Sequence, residues 1–331
     1  MHRILIVRLG SLGDIVHALP VAAALRRTFP RARIDWLVSA RHRELLDLVS
    51  VIDRRVVFGG SSGALDVVRY LRAERYDVAL DLQGLLKSAV LARASGAARV
   101  IGFSRRHLRE PFARPLYTEV QSADGTTHVI DKSLALVRAI GVHDPAVEFP
   151  IDEVPATTVD QVRQQLPVES GGRFVIINPG AAWPNKRWPP ARLGAVAAAI
   201  RDRHGLPSVV LWGPGERDLA TGVVEHARGA AVVAPETTMA DLVALARAAQ
   251  LFISGDTGPL HLAAAVGAPI VGIYGPTAAE RNGPWAADDV TVSRTAVCAC
   301  RELRQCRRDR CCLEGIEVDE VLDAVRRRLA A

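Results

Sequence analysis

The stretch at residues 8–17 reads "RLGSLGDIVH" and shows the local pattern from which the fold prediction starts. It follows the apolar run "ILIV" at residues 4–7 and precedes an Ala- and Leu-rich segment with apolar residues at helical spacing. A buried strand that breaks into a glycine-spaced turn and then a helix is typical of a phosphate or nucleotide site. This turn reads G-x-x-G-D, however, and not the G-x-G-x-x-G of dinucleotide-binding folds or the G-K-[ST] of nucleotide triphosphatases. An acid, Asp14, stands where a phosphate is expected.

The same alternation of apolar strand, turn and helix runs through the chain twice. Between residues 151 and 173 it weakens into a polar segment with prolines and a glycine pair, and it then restarts at "FVIINPG". Strands with helices between them predict parallel sheets, so we predict an α/β protein with two Rossmann-like domains that face a central cleft. The predicted parts are an N-terminal domain at 1–155, a linker at 156–172, a C-terminal domain at 173–316 and a C-terminal helix at 317–331. Ligands of such sheets bind at the carboxyl ends of the strands.

The bulk composition limits the class of partner. The chain has 331 residues and a formal net charge of +6, which fits an anionic partner. Aromatic residues make up only 5% and no nucleic-acid-reading motif is present, so we expect no nucleic acid. No run of eighteen apolar residues lacks charges, and the N-terminus carries no apolar signal region. We therefore expect a cytoplasmic protein.

Three strand-to-helix turns carry candidate chemistry. In the first, Asp14 is either a first-turn acid that caps a helix or a carboxylate at the strand end, available as a general base. In the second, Lys186 and Arg187 follow "NPGA"; cations beside helix-terminal amides suit a phosphate, and a solvated basic loop is the alternative. In the third, "SGDTGP", the amides of Thr257 and Gly258 predict an anion site at a helix N-terminus.

Two further side chains belong to the third turn. Asp256 cannot hold a phosphate directly, so it either orients the loop or accepts a hydrogen bond from a hydroxyl. His261 lies one helical turn further on, on the same side as Thr257 and Gly258. A lone histidine is more often structural than catalytic, but this one shares a face with the predicted anion site.

The turns together resemble a known family. The segments "GDTGPLHLAAAVGAPIVGIYGPT", "NPGA…KRWP" and "RLGSLGDIVHALP" are similar to the heptosyltransferases, glycosyltransferase family 9, over nearly the whole chain and in order. Two more stretches, "DLQGLLKSA" at 81–89 and "GFSRRHLREPFARPLY" at 102–117, resemble the group that adds the first heptose to the Kdo of the lipopolysaccharide inner core. The resemblance implies a GT-B fold, an inverting transferase of class EC 2.4, ADP-heptose as donor, a Kdo-containing lipid A precursor as acceptor, and no catalytic metal.

The resemblance also implies roles for individual residues. Asp14 would be the general base on the acceptor hydroxyl, and Lys186 would neutralise the diphosphate as ADP leaves. The implied donor-binding residues are Gly180, Glu216, Thr237, Asp256, Thr257, Gly258 and His261, with Asp256 on heptose hydroxyls, Glu216 on the ribose and Thr237 near the adenine. The implied acceptor-binding residues are Gly10, Ser11, Gly13, Lys87, Arg105, Arg106 and Arg109.

The basic segment of residues 104–117 has two interpretations. Its arginines, with Lys87, would capture phosphates or Kdo carboxylates and contact an anionic membrane surface, which predicts a peripheral protein at the inner face of the cytoplasmic membrane. The alternative is a solvated helix or loop.

All five cysteines fall within fifteen residues, at positions Cys298, Cys300, Cys306, Cys311 and Cys312. Clustered thiols in a cytosolic protein suggest a metal before a disulfide, so we predict a structural zinc or iron held by four of them, with Cys311 as the spare. Free or oxidised thiols are the alternative. Because some relatives of this family that act on proteins carry a cysteine-ligated metal near this point, the cluster leaves another sugar donor or an autotransporter-type protein acceptor open. A dehydrogenase or simple Rossmann binding protein fits poorly, since "RIDWLVSARHR" offers no ribose-binding acid.

Overall fold

A computed structural model describes residues 1–60, 63–143, 145–306 and 311–331. The chain divides into two compact units, Met1–Glu153 and Val154–Ala331. The segment 156–172, which the sequence suggested as a linker, lies in the second unit and contains a helix over Thr157–Gln165.

The first unit is built on a parallel sheet of six strands in the described residues. Its strands are β1 Arg3–Val7, β2 Arg33–Ser39, β3 Arg54–Phe58, β4 Val78–Asp81, β5 Arg99–Phe103 and β6 Glu119–Gln121. Its helices are α1 Leu12–Val16, α2 Leu19–Thr28, α3 Arg43–Asp47, α4 Ala64–Ala73, α5 Leu86–Ala94 and α6 Val129–Val137. The strand order is β3-β2-β1-β4-β5-β6.

The second unit repeats this plan. Its strands are β7 Val175–Asn178, β8 Ser208–Val210, β9 Ala231–Val233, β10 Leu251–Gly255, β11 Ile270–Tyr274 and β12 Val290–Ser293. Its helices are α7 Thr157–Gln165, α8 Pro190–His204, α9 Arg217–His226, α10 Met239–Ala248, α11 Gly258–Ala265, α12 Ala279–Asn282 and α13 Val318–Ala330. The strand order β9-β8-β7-β10-β11-β12 has the same connectivity as the first sheet.

Burial explains why the apolar runs become central strands. Every residue of Ile4–Val7 and of Val175–Asn178 is buried, as expected for strands covered by helices on both faces. In the second unit, α8 and α13 pack against this sheet and against each other, around residues such as Trp188. The predicted C-terminal helix at 317–331 thus completes the core of the second unit.

The strand order fixes where ligands can bind. In each sheet the order reverses between the first and the fourth strand, that is, between β1 and β4 and between β7 and β10. Open parallel sheets bind ligands at the carboxyl ends of the strands that flank such a reversal. The turns after these four strands contain Asp14, Gln83, Lys186 and Asp256, which are therefore the starting points for the site.

Candidate active site

In the first unit, the turn after β1 fixes the Asp14 carboxylate at the start of α1. The backbone N–H and the hydroxyl of Ser11 both donate to Asp14 Oδ2, each at 3.0 Å. Asp14 thus occupies the helix-capping position that the sequence left open as its structural interpretation. Capping uses one carboxylate oxygen and leaves the other for a second partner.

That second partner is Arg8, the last residue before the turn. Its guanidinium lies 2.6 Å from Asp14 Oδ1 and donates from the other side to the Leu82 carbonyl at 2.5 Å. Burial raises the pKa of Asp14, but the charge of Arg8 and the hydrogen bonds from Ser11 outweigh it and lower the pKa to about 2. Asp14 is therefore ionised at neutral pH and its carboxylate has one orientation.

Two histidines complete the surroundings of Asp14. His42, after β2, lies against Gly10, where an added Cβ would be 2.7 Å from the imidazole Cδ2. Burial and the charge of Arg41 lower the pKa of His42, and Asp14 opposes that shift. The second histidine, His17, ends α1 and its charge adds to the lowering of the Asp14 pKa.

Of the predicted acceptor residues, Gly10, Ser11 and Gly13 lie in the turn after β1 and Lys87 lies in the first turn of α5. Arg105 and Arg106 follow β5, two strands away from β1, in a short 3-10 segment at Arg105–His107. Arg109 lies just beyond it and, like the other two, is exposed. Arg106 is paired with Asp124, whereas Arg105 and Arg109 form no ion pair within the part of the chain that the structure describes.

A buried carboxylate ties this basic segment to the loop after β4. Asp81 accepts hydrogen bonds from the Tyr117 hydroxyl at 2.8 Å, from Ser88 Oγ at 2.9 Å and from the Gln83 N–H at 2.9 Å. The Tyr117 ring lies so close to Gly102 that a Cβ there would be 2.5 Å from it. Glycine at 102 is thus required for the contact that fixes Tyr117.

In the second unit, four side chains from different strand ends and helices contact the carboxylate of Asp256, and together with it they form the Asp256 cluster. We use this name for Asp256, Lys186, His261, Thr277 and Asn282. Lys186 Nζ lies 2.5 Å from Asp256 Oδ2, His261 Nε2 lies 2.9 Å from Oδ1, and Asn282 Nδ2 donates to Oδ1 at 2.7 Å. Thr277 Oγ1 donates to Oδ2.

These contacts determine the charge state and the role of Asp256. The residue is 5% exposed. Burial alone raises its pKa, but His261 and Lys186 together hold the pKa of Asp256 well below its usual range. Because both carboxylate oxygens already have two protein partners, Asp256 orients its loop in this structure. The other predicted role, accepting from heptose hydroxyls, requires one of these partners to move.

Gly255 allows the Lys186 loop to cover Asp256. A Cβ at Gly255 would lie 2.5 Å from the backbone carbonyl oxygen of Lys186, so a side chain at this position would push the loop away. Lys186 Nζ also lies 4.5 Å from the centre of the Trp183 ring. The ammonium group is therefore held between a carboxylate and an aromatic face.

The neighbouring cation, Arg187, has a different acid as its partner. Its guanidinium lies 3.2 Å from Glu216 Oε1 and donates to the Ala181 carbonyl at 2.9 Å. Glu216 in turn lies against Gly180, where a Cβ would be 2.0 Å from Oε2. The alternative of a solvated basic loop is thus wrong for both cations, because each is paired with a carboxylate.

The remaining predicted donor residues line the same edge of the second sheet. Thr257 is the N-cap of α11, and Gly258 is the first residue of that helix, where backbone N–H groups have no acceptor inside the helix. Asn178, at the end of β7, donates to Ser254 Oγ at 2.9 Å and to Thr257 Oγ1 at 3.3 Å. Thr237 follows the edge strand β9 and is half-buried, apart from the Asp256 cluster.

Sequence reasoning missed several residues of these sites. Arg8 directly follows β1, Asn178 is the last residue of β7 and Thr277 follows β11, so their places at strand ends could have flagged them. Asn282 carried no such signal, because it lies in the one-turn helix α12, which was not predicted. Its distance of 26 residues from Asp256 makes the contact visible only in three dimensions.

The five cysteines lie close together in the second unit. Sγ–Sγ distances are 3.2 Å for Cys298–Cys312 and 3.4 Å for Cys300–Cys306, and Cys311 Sγ lies 3.4 Å from the Asn185 carbonyl oxygen. Four of them line a cavity of about 400 Å³, namely Cys298, Cys306, Cys311 and Cys312. Burial and the neighbouring thiols raise the pKa of Cys312. Within the described ranges, no group of three or more His, Cys, Asp or Glu side chains could hold a metal ion.

The fold is shared with known sugar-transferring proteins. A solved glycosyl transferase of family 9 from Veillonella parvula superposes with a TM-score of 0.82 at 24% identity, over 99% of this chain and 97% of that one. The heptosyltransferase WaaC of E. coli, solved with ADP-2-deoxy-2-fluoro heptose, gives 0.75 at 20% identity over 98% and 99%. The two doubly wound sheets therefore define a glycosyltransferase fold of the GT-B type.

Sequence comparison identifies the glycosyltransferase family to which the chain belongs. A model of glycosyltransferase family 9 (heptosyltransferase) matches residues 64–311. Lipopolysaccharide heptosyltransferase 1 of Pseudomonas aeruginosa is 27% identical over 340 aligned residues, which cover 98% of this chain and 92% of that protein. The chain belongs to glycosyltransferase family 9, the heptosyltransferases. Asp14 precedes the residues matched by the family model, but it lies within the chain that aligns with the Pseudomonas protein almost end to end.

Proposed function

We propose that the protein transfers heptose from ADP-heptose to a Kdo-containing lipid A precursor of the lipopolysaccharide inner core, with inversion at the anomeric carbon. The observation that carries this proposal is the near end-to-end alignment with a lipopolysaccharide heptosyltransferase 1. The fluorinated ADP-heptose named for the E. coli neighbour supports the donor. The names of the relatives favour a lipopolysaccharide acceptor over a protein acceptor, and membership of family 9 argues against a dehydrogenase.

Asp14 is the general base of the proposed reaction. A carboxylate has about four lone-pair positions, and the contacts to Arg8 and Ser11 use three of them. The remaining position on Oδ1 can accept the proton of the acceptor hydroxyl. As that proton leaves, the acceptor oxygen forms a bond to the anomeric carbon, and the bond from that carbon to the diphosphate oxygen breaks on the opposite face.

The electron pair of the broken bond leaves with ADP, so negative charge grows on the diphosphate. Lys186 and the N-terminus of α11 provide the positive groups that stabilise it. Asp256 acts on the reaction through Lys186, which it orients. His261 supports the same carboxylate, and Gly180 with Glu216 lines the edge of the sheet where the nucleoside is proposed to bind.

No step of this mechanism uses a metal ion, as the family resemblance implies. The predicted structural zinc or iron stays a prediction, because within the described residues no group of three or more His, Cys, Asp or Glu side chains is placed to hold a metal ion. We therefore derive no role for it. Elemental analysis of the purified protein tests it: about one zinc or iron per chain would confirm the sequence-based prediction, and less than about 0.1 per chain would refute it.

The proposed acceptor is anchored in lipid, so the protein is proposed to act at the inner face of the cytoplasmic membrane as a peripheral enzyme. No helix in the described part of the chain is long and apolar enough to cross a bilayer. Arg105 and Arg109 are the cations available for phosphate or carboxylate groups of the acceptor.

The test is release of ADP from ADP-heptose in the presence of Kdo-lipid A. Asp14→Asn keeps the shape and the Ser11 contact but cannot accept a proton, so we expect kcat to fall at least about a hundredfold with the KM for the donor unchanged. Wild-type turnover by Asp14→Asn would refute the general-base role. Absence of ADP release by the wild-type protein with this donor and acceptor would refute the proposed function itself.

A further inference from the structure

The first unit exposes three large apolar side chains close together. Leu86 and Val90 are 45% and 47% exposed and lie one turn apart on the same face of α5. Phe112 is 82% exposed. It belongs to the 3-10 segment Pro111–Leu116, which packs against α5. The Glu110 carboxylate accepts a hydrogen bond from the Leu86 N–H at 2.7 Å, which ties the start of this segment to the start of α5.

Exposed cations lie near these apolar side chains along the chain, and one of them, Lys87, places its ammonium group 4.7 Å from the centre of the Phe58 ring. Lys87 and Arg93 are exposed on α5, beside Leu86 and one turn beyond Val90, respectively. Arg109 is exposed just before the 3-10 segment. Within the described ranges none of these three cations forms an ion pair, and the nearby acid Glu110 is already hydrogen-bonded to the backbone. Three cations against the one carboxylate of Glu110 leave a net positive local charge.

We propose that this α5 surface inserts into an anionic phospholipid bilayer. The name denotes Leu86, Val90 and Phe112 with Lys87, Arg93 and Arg109. Apolar side chains ringed by Lys and Arg are the combination that binds the boundary between acyl chains and anionic headgroups. The inference rests on the proposed function, because a lipid-anchored acceptor requires the enzyme to work at a bilayer, and the basic segment proposed to bind that acceptor continues into this surface.

The charge complementarity favours a bilayer over other occupants. A second copy of this chain would bring like charges together around the same apolar centre, which is unfavourable. The headgroups of an anionic bilayer supply negative charge for the cations, and its acyl chains can bury the exposed side chain of Phe112. Phe112 and Arg93 are not among the predicted catalytic or substrate-binding residues, so replacing them can be separated from chemistry.

Co-sedimentation of the full chain with vesicles tests the proposal. We expect binding to vesicles of equal parts phosphatidylcholine and phosphatidylglycerol and none to phosphatidylcholine alone. Phe112→Glu should weaken binding roughly tenfold or more, and Arg93→Gln about fivefold. Val168→Glu is the matched control: Val168 is 91% exposed but lies in the second unit, so this change should leave binding unaltered.

Three results would overturn the proposal. They are failure of the wild-type chain to bind the anionic vesicles, equal losses for Phe112→Glu and Val168→Glu, and self-association that Phe112→Glu abolishes without any vesicle binding. Unchanged thermal unfolding of Phe112→Glu, or of Phe112→Ser in its place, checks that the unit is intact. With a deacylated, soluble Kdo acceptor, Phe112→Glu should keep wild-type kcat/KM. If the wild-type protein transfers heptose to neither acceptor, the proposed function is refuted. The vesicle measurement would still test independently whether the α5 surface binds an anionic bilayer.

Discussion

Replacing Lys186 by methionine tests the Asp256 cluster, because it removes one cation and keeps a chain of similar length. The ammonium group lies 2.5 Å from a carboxylate whose side chain is 4% exposed, and the lysine itself is 15% exposed. Removing one partner of a buried pair leaves an uncompensated charge and typically costs about 3–5 kcal/mol.

The expected cost here is smaller than that range. His261, Thr277 and Asn282 still donate to Asp256 in the variant, so part of the charge remains solvated by the protein. We expect Lys186→Met to lower the free energy of unfolding by about 2–3 kcal/mol. For a unit the size of residues 154–331, this corresponds to a fall of about 5–10 °C in Tm.

The assay is thermal unfolding of four variants: Lys186→Met, Arg187→Met, Asp256→Asn, and Lys186→Met combined with Asp256→Asn. Arg187→Met is the matched control, since it removes the adjacent cation of the same loop, whose pair with Glu216 is 33% and 19% exposed and is worth less than about 1 kcal/mol. The double variant Lys186→Met with Asp256→Asn removes both buried charges. It should be less destabilised than the sum of its single variants by about 2 kcal/mol.

The pH dependence gives a second reading of the same pair. The pKa of Asp256 is lower in the folded chain than its ordinary value of 3.8, so the pair stabilises the folded state above that pH and loses this stabilisation as pH falls below it. The difference in unfolding free energy between wild type and Lys186→Met should therefore stay constant from about pH 5 to about pH 8 and shrink below about pH 4. Two results would refute the buried-pair interpretation: equal Tm values for Lys186→Met and Arg187→Met, or a difference in unfolding free energy between wild type and Lys186→Met that does not shrink below about pH 4.

Two further predictions address the neighbouring groups. Arg8→Met removes the cation 2.6 Å from Asp14, so the pKa of Asp14 rises from about 2. The pH profile of kcat/KM should then fall on its acid side in Arg8→Met but not in Arg8→Lys, which keeps the charge. Superimposable profiles of the two variants would show that Arg8 does not set the protonation of Asp14. Gly180→Ala places a Cβ 2.0 Å from Glu216 Oε2 and should raise the KM for the donor roughly tenfold by displacing Glu216. Gly60→Ala, where the new Cβ meets an ordinary contact at 3.5 Å, is the control, and equal KM values for the two would count against that role of Gly180.

The sequence predicted the sheets well, because central parallel strands are continuous apolar runs with turn residues at both ends. "ILIV" and "LFIS" show this pattern clearly, and both are fully buried. The strands β6 and β12 were not predicted. They are short edge strands of three and four residues with polar side chains, Glu119–Gln121 and Val290–Ser293, so their pairing is dictated by the neighbouring strand more than by their own composition.

The strand-end turns were predicted for the same reason, but their internal contacts were not. Spacing placed Lys186 and Asp256 at the carboxyl ends of two strands and could not show that these ends are adjacent, because strand order is a three-dimensional property. The pairing of β7 with β10 brings the two residues together across 70 positions. The same limit applies to Asp14, where spacing alone could not reveal that the cap and the ion pair with Arg8 coexist.

Lys186 and Asp14 show why these contacts matter for the proposed chemistry. An ammonium group has three donors, and Lys186 uses one on Asp256, so two remain for a diphosphate without breaking the pair. Asp14 is arranged in the same way, with Arg8 and Ser11 fixing the carboxylate and one lone-pair position left over. Each proposed catalytic group is thus held in one orientation by a partner of opposite charge and keeps the bonding capacity that its step requires. Loss of that partner, like loss of the Asp14 carboxylate itself, should therefore lower kcat while leaving substrate binding largely intact.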